Sequence, residues 1–267
     1  MARLSMNEIT TFRWSFEEDV ERYIAAEIDG IGVWRQKLSD FGEEKGAELL
    51  ADSPLAVSCL LWAGGFTGSD GRSYRDSVQD AMDAIRLAAD LEAGCLVVYS
   101  GARAGHTHNH ARRLFRSALA ELAPVAAEQR VVLAIEPMHE GCAAEWTFLT
   151  DLDETLETIH AIGSDQLKLV FDLYHLGQNR TILDRVPEIA PLAAVVQLGD
   201  AREPPRGEQN RCRLGEGSVP LDEIVAALLE AGYDGFFDVE LLGEDVEDAD
   251  YADLIEHAKR RYAEWVA

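Results

Sequence analysis

The 267-residue chain is 47% hydrophobic and 27% charged, with 21 glycines and 8 prolines, which supplies a substantial core and excludes disordered and collagen-like sequences. Its 49 Asp and Glu against 24 Lys and Arg leave a formal charge of −25, a field that repels phosphate backbones and argues against a nucleic-acid partner.

Short apolar runs alternate with longer amphipathic segments along the whole chain. A predicted strand over residues 8–13 leads to a helix over 16–27, and a strand over 32–34 to a helix over 43–51. Strands over 56–62 and 95–100 precede helices over 74–91 and 110–128. The second half continues with strand 131–137 and helix 152–162, then strand 168–173 and helix 182–189. Strand 194–198 with helix 221–231 and strand 236–241 with helix 251–265 complete the series. Parallel strands need crossovers, a helix is the usual one, and eight such units in about 250 residues make a closed (β/α)8 barrel. Near-continuous apolar strands such as V-V-L-A-I at 131–135 suit a sheet covered on both faces. The rival, an open doubly wound sheet, requires a glycine-rich phosphate loop, and neither G-x-G-x-x-G nor G-x-x-x-x-G-K-[ST] occurs. The expectation is an α/β fold, one TIM barrel as a single domain over 1–267.

Cys59, Cys95, Cys142 and Cys212 are scattered, with no C-x-x-C pair, and read as reduced thiols. The opening M-A-R-L-S-M-N-E-I-T-T-F lacks the apolar stretch of a secretory leader, and the longest mostly apolar run, 55–66, is too short to span a bilayer. A soluble, cytoplasmic protein with no membrane partner is expected.

In this fold, function gathers at the C-terminal ends of the strands. Polar residues stand there in the second half: Glu136 after strand five, Asp172 and then His175 after strand six, Gln197 followed by Asp200 in strand seven, and Glu240 after strand eight. Taken singly, a strand-end acid is more often a helix cap or an arginine partner. Three acids around one barrel mouth repel one another, and a divalent cation on an oxygen-rich shell relieves that. The run His106, His108, His110 reads as a solvated loop at a helix start rather than a second metal site. Trp14, Trp34 and Trp62 close strands one to three, as a stacking wall for a ligand or as a plug of the barrel.

The segments I-E-P at Glu136, F-D-x-x-H at Asp172 to His175, V-V-Q-L-G-D around Gln197 and D-V-E at Glu240 resemble the xylose-isomerase-like TIM-barrel superfamily. That group holds sugar isomerases and epimerases, hydroxypyruvate isomerase, inosose dehydratase and endonuclease IV. The resemblance implies Glu136, Asp172, Gln197 and Glu240 as ligands of one divalent ion. It also implies Glu136 and Glu240 as the pair exchanging a substrate proton, with His175 and Arg211 holding substrate oxygens. Arg213 competes with Arg211, and His175 has an alternative role supporting the ligands. His139, Trp14 and Trp62 complete the expected substrate contacts.

The family usually has His where Gln197 stands; a carbonyl oxygen in place of a nitrogen favours Mn²⁺ or Mg²⁺, with Co²⁺ acceptable and Zn²⁺ less favoured. Ketose 3-epimerases carry another acid where Cys142 stands, with Glu140 and Glu145 as nearby substitutes. The implied activity is isomerisation or epimerisation of a sugar or polyol through an enediolate. The alternative is dehydration of a keto-polyol; a non-catalytic sugar-binding barrel and endonuclease-like cleavage rank lower. A homo-oligomer is compatible with this reading.

Overall fold

The computed structural model describes residues 2–266; Met1 and Ala267, the two ends of the expected domain, lie outside the described residues. Eight strands form one closed barrel: β1 Arg3–Asn7, β2 Gly30–Trp34, β3 Ala56–Gly64, β4 Leu96–Tyr99, β5 Leu133–Ile135, β6 Leu167–Asp172, β7 Ala193–Leu198 and β8 Phe236–Val239. Every neighbouring pair is parallel, and β8 returns to β1 from Arg3 opposite Phe236 to Met6 opposite Val239. Closure leaves no unpaired edge.

The helices are α1 Phe16–Ala25, α2 Arg35–Phe41, α3 Glu43–Ala51, α4 Tyr74–Asp90, α5 His108–Gln129, α6 Leu152–Ile162, α7 Leu173–Leu176, α8 Val186–Ile189, α9 Leu221–Glu230, α10 Glu244–Glu247 and α11 Tyr251–Val266. Their starts follow local capping chemistry. Ser15, Thr107 and Asp151 accept backbone N–H groups of Glu18, His110 and Glu154, and Ser73 forms a reciprocal box with Asp76. The predicted helix over 182–189 is a 3-10 turn, Arg180–Arg185, joined to α8, where Pro187 sits in the first turn without an N–H to offer.

One strand differs from expectation. Residues 8–13 form a turn, and the first strand lies earlier at Arg3–Asn7. Leu4 and Met6 face the helical layer, while Ser5 and Asn7 are buried and polar toward the barrel interior. A strand with polar side chains on a buried face carries no apolar run, so periodicity alone overlooks it.

Two apolar layers follow from strand alternation. Outward residues such as Ile135, Phe171, Val196 and Phe237 pack against the helices. Inward residues, among them Leu61, Val97, Ala134, Val170, Val195 and Phe236, fill the barrel. That plug supports everything above it.

Candidate active site

The inward register that buries Ala134, Val170 and Val195 also aims the residues two positions later toward the C-terminal mouth. These are Glu136, Asp172 and Gln197. On β8 the alternation runs Phe236, Asp238, Glu240, so this strand supplies two acids. Asp238, not Glu240, is the register partner of Gln197, and Gln197 in turn pairs with Asp172. Glu240 stands one inward position higher. All five are buried.

The charges are answered chiefly by one cation. Arg211, fully buried, places Nη2 2.8 Å from Asp172 Oδ2 and 3.0 Å from Glu240 Oε1. Its Nη1 donates to the Glu240 carbonyl at 3.2 Å, and its guanidinium lies 4.6 Å from the Tyr174 ring centre. Burial opposes its charge, but Asp172, Glu240 and Glu136 outweigh that and raise its pKa. Gly199 makes room: a Cβ there would sit 2.8 Å from Arg211 Nη1 and 2.9 Å from Tyr174 Cβ. Arg213 instead pairs with Asp253 at 2.7 Å, which separates the two arginine candidates.

Asp172 performs both ordinary roles of a strand-end acid at once. Its Oδ1 accepts the Tyr174 N–H at 2.7 Å, capping α7, while Oδ2 accepts from Arg211. Glu240 Oε2 accepts from Gln197 Nε2 and, at 3.3 Å, from Asn7 Nδ2. Asn7 also donates to Asp238 Oδ2 at 2.8 Å, and Ser5 and Ser58 donate to Asp238 Oδ1 at 2.6 and 3.0 Å. Asn7 and Asp238 carry no apolar or motif signal; only the D-V-E spacing, placing a second acid two residues before Glu240, hints at them.

Burial sets the acids' proton affinity. It pushes the Glu240 carboxyl up to about 7 against the pull of Arg211. Burial, with Glu240 and Asp172 adding to it, holds Glu136 well above the usual carboxylate range. Asp238 is also raised by burial, against the donors from Ser5, Asn7 and Ser58. His175 is driven down to about 3 by burial, so its imidazole is neutral. Its Nε2 lies 3.9 Å from both Glu136 Oε1 and Asp172 Oδ2, and Cys142 Sγ is 3.7 Å from its Nδ1.

A cavity of about 410 Å³ opens above these groups, with Glu136 and Glu240 in its lining and Trp34, Trp62, Trp146, Tyr99 and Met138 among its walls. Trp62 is thus where a substrate contact was expected. Trp14 is not: it packs edge-on to Tyr251 with ring centres 5.1 Å apart, outside the cavity lining. His139 also lies outside that lining and accepts the Gly141 N–H on Nδ1 at 3.1 Å. Glu140 and Glu145 are exposed, so neither replaces the acid missing at Cys142. Asp200 anchors a loop, its carboxylate taking the N–H groups of Ala201, Gly215, Gly217 and Val219. In the histidine run, His106 and His110 touch with ring centres 4.7 Å apart and planes inclined at 56°, and His108 lies 3.2 Å from Glu154.

The sequence model of the xylose isomerase-like TIM barrel matches residues 20–261. The chain belongs to that family. It is 25% identical over 222 residues to an inosose isomerase of Halalkalibacterium halodurans, covering 80% of this chain and 75% of that protein. The solved IOLI protein with a binding zinc atom has the same fold, at TM-score 0.83 and 19% identity over 99% of this chain and 98% of that one. So does an L-ribulose 3-epimerase, at TM-score 0.79 and 21% identity over 100% and 98%.

The residues fit a metal ion. Ligand atoms of Glu136, Asp172 and His175 lie within 4.8 Å of one another, the group of three that meets among the described residues. Two buried atoms beside the acids have no hydrogen-bond partner, His175 Nε2 and Gln197 Oε1, and both carry a lone pair a cation would use. His175 is therefore placed with Nε2 where it could serve as a donor, beside the substrate-holding and ligand-supporting roles that the sequence offers. Its nitrogen weakens the argument against zinc, which rested on an all-oxygen shell.

Proposed function

We propose that this member of the xylose isomerase-like family is a metal-dependent isomerase or epimerase of a sugar or polyol, moving a proton at the carbon beside a carbonyl. The observation carrying this reading is a pair of buried glutamates, Glu136 and Glu240, on the lining of one cavity, both with raised proton affinity. Glu136, Asp172, His175 Nε2 and Gln197 Oε1 would hold the ion, with Asp172 and Glu240 exchanging Arg211 for it. When bound, the ion supplies polarisation of the substrate carbonyl and its adjacent hydroxyl, which acidifies the intervening C–H.

The chain's own groups do the rest. Burial raises the Glu240 carboxyl toward neutrality, the direction that suits a group taking and returning a proton. Asn7 and Gln197 hold its Oε2 while Arg211 pairs with its Oε1 at 3.0 Å, so Oε1 is the atom that exchanges the proton once Arg211 lets it go. Glu136, on a strand across the barrel, handles the proton on the other face. Return to the same carbon inverts it; return to its neighbour interconverts ketose and aldose. The relatives named inosose isomerase and L-ribulose 3-epimerase support this class.

The test is a screen of keto-sugars and inososes in D2O with Mn²⁺ supplied, read by NMR. Deuterium entering beside the carbonyl, with isomeric products and dependence on the ion, is the expected result. An unsaturated product would transfer the assignment to the dehydratase alternative, and no exchange with any substrate would refute it.

A further inference from the structure

The cavity above the glutamates is shaped for something other than a bare sugar. The geometry points to a neutral substrate whose oxygenated head meets Glu136 and Glu240 and whose other end is an aromatic or similarly flat apolar group. This inference rests on the isomerase reading for the head and on the cavity walls for the rest.

Those walls rise from the ends of six different strands or the loops just after them and are mostly apolar. Trp34, Trp62 and Tyr99 come from the ends of β2, β3 and β4, and Ile9, Met138 and Leu242 follow β1, β5 and β8. Phe12 and Trp146 complete the mouth. They are 47% and 46% exposed, two of only four large hydrophobic side chains that open to solvent among the described residues. Exposed aromatic groups gathered at one cavity indicate an apolar ligand. Trp62 and Trp146 pack on each other, ring centres 6.1 Å apart and planes at 44°, and together present one broad aromatic wall.

The polar lining is as informative. Apart from Glu136 and Glu240 it holds Gln209 and Glu247 and the single polar tips of Tyr99 and three tryptophans, with no Lys or Arg. Gln209 Oε1 is already taken, accepting from Arg211 at 2.9 Å. A free monosaccharide carries hydroxyls around its whole ring, and those pressed on indole and thioether surfaces would lose water without gaining partners. An anionic or phosphorylated ligand would enter a lining that holds three glutamates and offers no Lys or Arg to pair with it. A head small enough for the two glutamates, carried on an uncharged aromatic group, meets neither penalty.

The experiment compares phenyl β-D-glucopyranoside, methyl β-D-glucopyranoside, D-fructose and D-fructose 6-phosphate as probes. Binding to the full chain with Mn²⁺ is read by isothermal titration calorimetry, so turnover is not needed and failure of the isomerase reading would leave this result standing. The phenyl probe is expected to bind at least tenfold more tightly than the methyl probe. Trp146→Ala, on an exposed loop residue, removes that preference, and Ile24→Ala, an exposed apolar site outside the cavity, keeps it. Equal affinities, a preference that survives Trp146→Ala and Phe12→Ala together, or tightest binding by D-fructose would overturn the aromatic group. Tighter binding of D-fructose 6-phosphate than of D-fructose would overturn neutrality.

Discussion

Replacing Arg211 by methionine, which keeps the bulk of the stem and deletes the charge, probes how the acids of the barrel mouth coexist. Arg211 makes ion pairs of 2.8 and 3.0 Å to Asp172 and Glu240 and a 3.2 Å hydrogen bond to the Glu240 carbonyl, all in a fully buried setting. Removing one partner of a buried pair strands the other charge and costs about 3–5 kcal/mol. With an unfolding entropy of about 2.1 cal/mol/K per residue, a chain of this length loses about 2 °C of Tm per kcal/mol, so the expected drop is about 5–9 °C. Calorimetry at pH 7 in chelator measures it. Because the stranded carboxylates still need a cation, Mn²⁺ should return most of the lost stability to the variant and add less to the parent protein. A drop below 1 kcal/mol in chelator, or no difference in the metal response, would refute the account of Arg211 as the cation that holds this site together.

Two further outcomes follow from the same geometry. Glu240, whose carboxyl is raised to about 7, contributes stability that is full below about pH 4.5 and is lost as pH rises through 7. Glu240→Gln should therefore abolish deuterium exchange yet gain up to about 3 kcal/mol in urea denaturation at pH 8 in chelator, with no gain at pH 4; a loss at pH 8 would count against it. Asn7→Ala leaves Asp238 and Glu240 each short of a donor and should lower stability by about 1–3 kcal/mol while lowering kcat more than it alters KM; Asn7→Ala with the parent's stability and kcat would contradict this.

The barrel was legible in the sequence because each apolar strand must be buried on both faces and each crossover helix shows its own period. Seven of the eight strands overlap their expected positions, and α3 and α6 begin and end where their periodicity places them. Glu136, Asp172, Gln197 and Glu240 were legible for a related reason: they stand where apolar runs stop, on consecutive strands. Residues 3–7 were not, because their inward face, Ser5 and Asn7, is polar and the segment carries no apolar run.

What tertiary structure alone decided is which of these groups touch. Strand alternation states that Glu136, Asp172 and Gln197 point inward, but not that Arg211, from a loop after β7, passes between Asp172 and Glu240 while Arg213 turns to the surface. Nor does it state that Asn7 reaches Glu240 from the adjoining strand that closes the barrel, or that Trp62 lines the cavity and Trp14 does not. Side-chain direction along a strand is a local consequence of backbone geometry and can be read from spacing. Contacts between loops depend on how all eight strands tilt and close, and that is a property of the whole cylinder.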